Sequence, residues 1–358
     1  MKIYLYIINK FLFLLTRVLF RRNSNPKKIL ILRTGSLGDS ICAMPAISLI
    51  RQNFPEAKIS FLTETGRENL VSLAKLLNNE LFDDFIYIRD FKRSELTQSL
   101  KKSEYDLIIE LVQNTSSVKK LIRNIVYFKF IIGIKSGFGW QISKLPYLKK
   151  FQVAESSERD ALISHISPYL DISFPLNYDY AISEEDIIHV NQILPFEHSK
   201  YICLVIGAKR EMNRWPIENF EKIIRAFPSE KFIIIGGGDD VHLAKDLVDY
   251  SNVISLCNQL TPIQSGIVLS HSKFCLSNDT GPMHLAYSFG ARVIALFSNR
   301  DYPNIWFPPQ NPGNVIMRAT DIACTLCLKE SCHMDNLCMK AIKPEHVIDE
   351  MNLILNAN

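Results

Sequence analysis

The sequence predicts an α/β protein made of two doubly wound, parallel-sheet domains in tandem, and three observations carry that reading. From residue 27 onward, short β-branched runs alternate with helix-patterned segments. The alternation lapses once, in the aperiodic stretch "PYLDISFPLNYD" with its two prolines, and then restarts. The chain length, 358 residues, also exceeds what one ordinary core fills. No sequence repeat joins the halves. The expected division is a segment over 1–26, a first domain over 27–175 and a second over 176–358.

In the first half, "KILILR", "AKISFLTE", "DDFIYIRD" and "YDLIIELV" read as strands. "AMPAISLIRQNF", "RENLVSLAKLLNN" and "SELTQSLKKS" read as the helices between them, and "FKFIIGI" reads as a fifth strand. In the second half, "YICLVIG", "KFIIIGG", "NVISLC", "KFCLSND" and "RVIALF" are the strands. "IENFEKIIRAF", "DVHLAKDLVDY", "TPIQSGIVLSH" and "GPMHLAYSFG" are the intervening helices, and "PEHVIDEMNLIL" is a closing helix that packs back toward the boundary. The carboxyl ends of two such sheets would line a cleft.

Ahead of the first strand, "IYLYIINKFLFLLTRVLF" approaches the length of a membrane span, but Lys10 interrupts it and Arg17 follows. The first 28 residues hold Lys2, Lys10, Arg17, Arg21, Arg22, Lys27 and Lys28 and no acidic residue. No small-residue cleavage site follows, which argues against a removed signal peptide. The pattern favours a helix lying on an anionic membrane surface over a spanning or a buried helix. Overall charge is nearly balanced, at +4, which gives no footprint for nucleic acid.

Two glycine turns carry the chemistry. "RTGSLGDS" joins the first strand to a helix through Gly35, Ser36 and Gly38, and it places a carboxylate, Asp39, where such turns often cradle phosphate. The dinucleotide fingerprint is missing, because the third glycine and its spacing are absent. A carboxylate there would repel phosphate, so Asp39 either caps the helix or faces a neutral partner whose proton it takes. The second turn, "SNDTGPMHLAYSFGARVIALF", has Asp279 at a strand end, Thr280 and Gly281 in the turn, and Pro282 early in the helix. Its free N–H groups and helix dipole suit a diphosphate, leaving Asp279 for sugar hydroxyls and His284 within reach or simply in the core.

Together with "YDLIIELVQN", "GAKREMNRWPIENF", "FIIIGGGDD" and the tail "CMKAIKPEHVIDEM", these stretches make the chain resemble glycosyltransferase family 9, the heptosyltransferase family of lipopolysaccharide assembly. The resemblance covers residues 28 to about 350 in order. It implies a GT-B fold, with acceptor on the N-terminal domain and nucleotide-sugar on the C-terminal one. It also implies inverting, metal-independent transfer from an ADP-activated sugar, with no cofactor. Carried over, the catalytic aspartate falls on Asp39 and the donor-binding trio on Asp279, Thr280 and Gly281. One position departs: the family commonly has Lys two residues before Trp-Pro, and here Asn213 stands there. Among the nearby cations Lys209, Arg210 and Arg214, Lys209 or Arg214 is the expected substitute.

Two further clusters have competing readings. Asp239-Asp240 after the glycine run "GGG" reads as helix capping rather than a metal pair. "CTLCLKESCHMDNLC" sets Cys324, Cys327, Cys332, His333 and Cys338 at ligand-like spacing, so either a structural zinc or ordinary packing holds this loop. Three functions compete. The first is transfer of a heptose or related sugar from an ADP-activated donor to a lipid-linked oligosaccharide at the cytoplasmic face of a bacterial inner membrane. The second is nucleotide-sugar binding without transfer, suggested by Asn213. The third, a nucleotide-sugar epimerase, shares the architecture but not this pair of motifs.

Overall fold

The computed structural model describes residues 2–64, 73–112, 118–140, 157–309, 313–320, 322–324 and 326–357. The chain divides into two compact units, Met1–Ala181 and Ile182–Asn358.

The first unit runs α1 (Lys2–Leu19), β1 (Lys28–Leu32), α2 (Leu37–Asn53), β2 (Lys58–Thr63), β3 (Asp84–Tyr87) and α3 (Arg93–Ser103). It continues with β4 (Leu107–Glu110), α4 (Val118–Val126), β5 (Ser136–Phe138) and α5 (Glu158–Ile166). Its parallel sheet has the order β3-β2-β1-β4-β5. The central strands are apolar on both faces, as a sheet covered by helices on both sides requires. One face packs Leu30, Leu32 and Ile108 against Leu121, Ile125 and Phe128. On the other, α2 packs on α5.

The second unit runs α6 (Glu184–Ile193), β6 (Tyr201–Val205), α7 (Ile217–Ala226), β7 (Lys231–Ile234), α8 (Val241–Ala244) and β8 (Val253–Ser255). It continues with α9 (Pro262–Ser270), β9 (Cys275–Asn278), α10 (Gly281–Ser288), β10 (Val293–Phe297), β11 (Val315–Arg318), α11 (Leu337–Lys340) and α12 (Pro344–Asn356). This sheet is also parallel, in the order β11-β10-β9-β6-β7-β8. The closing helix α12 packs on α7 and adds Val347, Met351 and Ile354 to the core of this unit. Strand order reverses between β1 and β4 in the first unit and between β9 and β6 in the second. The carboxyl ends of strands at such reversals are where open α/β sheets bind ligands.

Several elements differ from the sequence reading. "FKFIIGI" is not a strand: Tyr127–Ile132 continues α4 as a π-helix, and the fifth strand is Ser136–Phe138. Leu121, Ile125 and Phe128 keep the helical spacing of α4 and bury together, so the periodicity begun upstream overrides a short β-branched run. The expected helix over 240–250 breaks into α8 and a 3-10 turn at Leu247–Asp249. The helix expected over 67–79 lies partly outside the described residues; its described end holds 3-10 turns at Leu73–Lys75 and Asn79–Leu81. The elements α4, α5, α6, α11 and β11 have no counterpart in the sequence reading. Among the described residues, no helix is long and apolar enough to cross a membrane.

Candidate active site

Each strand reversal carries one of the two glycine turns. In the first unit, β1 ends at Leu32, and the chain turns through Gly35 into α2 with Ser36 as its N-cap. Asp39 sits three residues past the cap, and its carboxylate Oδ2 accepts from the Ser36 backbone N–H at 2.8 Å and from the Ser36 hydroxyl at 2.6 Å. Gly35 has φ of +147°, and a Cβ there would meet the Asp39 side chain at 2.5 Å, so the close fold of turn over carboxylate requires glycine. Gly38 is buried in the first turn of α2. The buried Arg33 guanidinium donates to the carbonyls of Asp39 and Leu111, pinning the turn to the end of β4. Asp39 is half-buried, and among the described residues its Oδ1 accepts no hydrogen bond. The N-terminus of α2 is thus filled by its own carboxylate, with one oxygen left open.

In the second unit the corresponding turn is arranged the other way. Asp279 precedes the helix, Thr280 is the N-cap with no side-chain cap bond, and no acidic residue lies in the first turn of α10. Pro282 brings no N–H, and the backbone N–H groups of Thr280 and Gly281 have no protein partner among the described residues. Asn278, fully buried, locks the turn in place: its Nδ2 donates to the Ile206 carbonyl at 2.7 Å and its Oδ1 accepts from the Trp215 N–H at 3.0 Å.

Asn213, two residues before Trp215-Pro216, donates from Nδ2 to Asp279 Oδ2 at 3.1 Å and accepts from the Ser298 hydroxyl at 2.7 Å. Desolvation in this crowded pocket pushes the Asp279 carboxyl up to about 7; Asp301 adds repulsion, and Arg210, Arg300 and Arg318 oppose it. Arg318 donates to Asn299 Oδ1 at 2.7 Å, and burial lowers its own pKa. Glu330 spans two of these arginines, at 3.0 Å from Arg210 Nε and 2.8 Å from Arg300 Nη2. His284 is buried, 3.0 Å from the Tyr287 hydroxyl through Nδ1, and packs edge-on against Trp306.

Asp279, Thr280 and Gly281 form one turn and His284 lies in the helix that follows it, whereas Lys209 and Arg214 are set differently. Lys209 is exposed. Arg214 donates to the Ala208 carbonyl at 2.9 Å, and its charge acts on Asp240. The cations whose charge reaches Asp279 are Arg210, Arg300 and Arg318. Sequence reasoning missed Arg300 and Arg318, although both stand at the carboxyl ends of β10 and β11, where this fold gathers functional groups. Asp240 caps its own turn, accepting from the Gly237 N–H at 2.9 Å and lying where a Cβ on Gly207 or Gly236 would clash.

The cysteine loop, open from the sequence to a structural zinc or to ordinary packing, brings Cys327, Cys332 and Cys338 within electrostatic reach of Cys324. Among the described residues, no three His, Cys, Asp or Glu side chains converge closely enough to hold a metal ion. Cys324 and Cys338 are buried and Cys327 and Cys332 half-buried, all as free thiols. Burial, with the neighbouring cysteines Cys338, Cys327 and Cys332, pushes the Cys324 thiol up to about 11. Cys332 Sγ instead accepts from the Asn336 N–H at 3.3 Å within the loop.

The chain is 24% identical over 339 residues to lipooligosaccharide heptosyltransferase 2 of Campylobacter jejuni, covering 90% of this chain and 97% of that protein. Its fold matches a family 9 glycosyl transferase from Veillonella parvula with a TM-score of 0.72 at 18% identity, over 93% of this chain and 98% of the other. It also matches E. coli heptosyltransferase WaaC, solved with ADP-2-deoxy-2-fluoro heptose, with a TM-score of 0.59 at 18% identity over 91% and 99%. The two parallel α/β units are those of the GT-B fold. The model of glycosyltransferase family 9 (heptosyltransferase) matches residues 93–338, and the chain belongs to that family of glycosyltransferases.

Proposed function

We propose that this glycosyltransferase moves a heptose, with inversion and without a metal, from an ADP-activated donor to a lipopolysaccharide core acceptor. The observation that carries the reading is the contrast between the two turns. Asp39 presents an open carboxylate oxygen, whereas the N-terminus of α10 presents unpaired N–H groups beside three arginines. Asp39 takes the proton of an acceptor hydroxyl as its oxygen attacks the anomeric carbon. The bond from that carbon to the diphosphate breaks, and ADP leaves with the electron pair. The negative charge that develops there is stabilised by the Thr280 and Gly281 N–H groups and by the arginines. Asp279 accepts from donor hydroxyls, and His284 supports the same pocket. The similarity to a protein solved with an ADP-heptose analogue supports the donor class. In this reading α1, basic and apolar, rests the enzyme on the cytoplasmic face of a bacterial inner membrane, where a lipid-linked oligosaccharide is presented.

The test is release of ADP from ADP-heptose, measured with and without lipopolysaccharide core acceptor. Acceptor-dependent release is expected. One observation favours a second reading, nucleotide-sugar binding without transfer: Asn213 supplies no charge where the family commonly has lysine. Tight ADP-heptose binding with no acceptor-dependent release would select that reading.

A further inference from the structure

The chain contains two long stretches without a carboxylate. The first acidic residue is Asp39, and none occurs between Glu110 and Glu155, a span that holds eight lysines and arginines. The fold brings described parts of both stretches together in the first unit. Phe20, just past α1, stacks on Trp140 with ring centroids 4.6 Å apart. The Arg21 N–H donates to the Lys135 carbonyl at 2.9 Å, and Lys129 Nζ lies 5.2 Å from the Phe20 ring. Arg21, Lys129 and Lys135 therefore gather at one junction. Burial lowers the pKa of Lys129, and the neighbouring charges that add to the shift are Arg21 and Lys135.

Around this junction both elements turn apolar side chains to solvent in helical register. On α1 they are Ile7, Phe11, Leu14 and Val18, the last 83% exposed. On α4 and the π-helix they are Ile122, Val126, Phe130 and Ile131, with Phe130 64% exposed. The opposite side of this second helix, Leu121, Ile125 and Phe128, is in the core. Solvent-facing aromatic and aliphatic groups interleaved with cations are unfavourable in water, and they complement a surface that offers negative headgroups above hydrocarbon. An acidic protein would match the charge, but the two rows of exposed apolar side chains flanking the cations match hydrocarbon beneath headgroups.

We propose that α1 and the α4–π segment form one two-part docking face for an anionic phospholipid bilayer. This deepens the attachment through α1 proposed above and rests on it. Phe130 and its neighbours insert beside the α1 stripe, and Arg21, Lys129 and Lys135 meet lipid phosphates at the junction. Two separate insertions would also fix the orientation of the first unit on the membrane, which a single helix on a swivel would not.

The experiment is vesicle flotation of the full chain on phosphatidylcholine with and without phosphatidylglycerol, for wild type, Val18→Glu and Phe130→Glu. Both side chains are exposed, so folding should be spared, and an unchanged melting temperature and ADP affinity check this for each variant. Wild type should float with phosphatidylglycerol vesicles and detach progressively with salt. Each variant should partition about tenfold less, the scale expected for losing one large apolar anchor. Flotation of Phe130→Glu at the wild-type level would overturn the two-part face. If Val18→Glu alone were impaired, attachment through α1 would survive; if wild type bound neither vesicle, both readings would fall. A wild-type dimer in gel filtration that Phe130→Glu dissolves would give the face to a second copy and overturn the proposal.

Discussion

The turns after β1 and β9 stand at equivalent places in their sheets, at the point where strand order reverses, and both carry an aspartate. They differ in where the aspartate falls relative to the helix. Asp39 is inside the first turn of α2 and caps it, so the positive end of that helix dipole is already satisfied. Asp279 lies one residue before the N-cap of α10, held by Asn213, and the helix end behind it stays open. In the proposed reading, moving a carboxylate by a few residues converts an anion site into a site that keeps anions out. The pocket around each acid follows from this. Asp279 has Arg210, Arg300 and Arg318 within electrostatic reach. Asp39 is held by Ser36, while the nearby Arg33 turns Nη1 and Nη2 to backbone carbonyls.

The largest expected effect breaks the first turn. Asp39→Asn keeps an oxygen able to accept from Ser36 and gives up only the charge–dipole contribution of the first helical turn, about 0.3–1 kcal/mol, so the melting temperature should fall by a few degrees at most. Turnover should fall by roughly a hundred- to ten-thousand-fold, the range for losing a general base. Wild-type turnover with the same stability would leave Asp39 as a cap alone.

A smaller effect is expected at the second turn. Asp279→Ala should weaken ADP-heptose binding by about tenfold, through lost hydrogen bonds to a charged acceptor, while ADP itself binds as before. An equal loss for ADP would move Asp279 from the sugar to the nucleotide. The same residue sharpens the comparison through pH. Its folded carboxyl holds a proton to about 7, against an ordinary value of 3.8, so over that interval unfolding releases a proton. Wild-type stability therefore carries a term that is fully present below about pH 4 and is lost as pH rises to about 7. Asp279→Asn has no such term. Its melting temperature relative to wild type should climb through that window and level off above it; a flat difference would show that Asp279 ionises normally.

How much of this was legible beforehand depends on range. The strands β1, β4, β6 and β9 and both turns were readable, because they rest on short apolar runs and glycines adjacent in sequence. The π-helix after α4 was not, because its fate was decided by burial of Phe128 with Leu121 and Ile125, which a local β-branched run does not reveal. At the site, Asp39, Asp279, Thr280 and Gly281 are positioned by their own turns and could be named. Arg300 and Arg318 come from β10 and β11, and only the strand order places them near Asp279. The expectation for Lys209 or Arg214 used sequence proximity to Asn213, but Arg214 turns back to its own loop carbonyl at Ala208.

The smallest effect concerns the arginines. Glu330 is mostly exposed and bridges Arg210 and Arg300, so a diphosphate arriving at those arginines displaces a weak surface pair. Glu330→Gln should tighten ADP binding by about two- to fivefold, the scale of an exposed ion pair, with the gain shrinking in high salt. Weaker binding would mean that Glu330 orients the arginines rather than competing for them.

The most direct test of the contrast is a calorimetric titration of ADP into Thr280→Asp and Asp39→Asn, alongside wild type. Asp at the cap of α10 would place a carboxylate where α2 already has one, and like charge at contact range should weaken ADP by about a hundredfold. Asp39→Asn should bind ADP with wild-type affinity and unchanged stoichiometry, since its turn holds no phosphate. If Asp39→Asn tightened ADP binding or added a second site while Thr280→Asp bound normally, the roles of the two turns would be reversed and this account would be wrong.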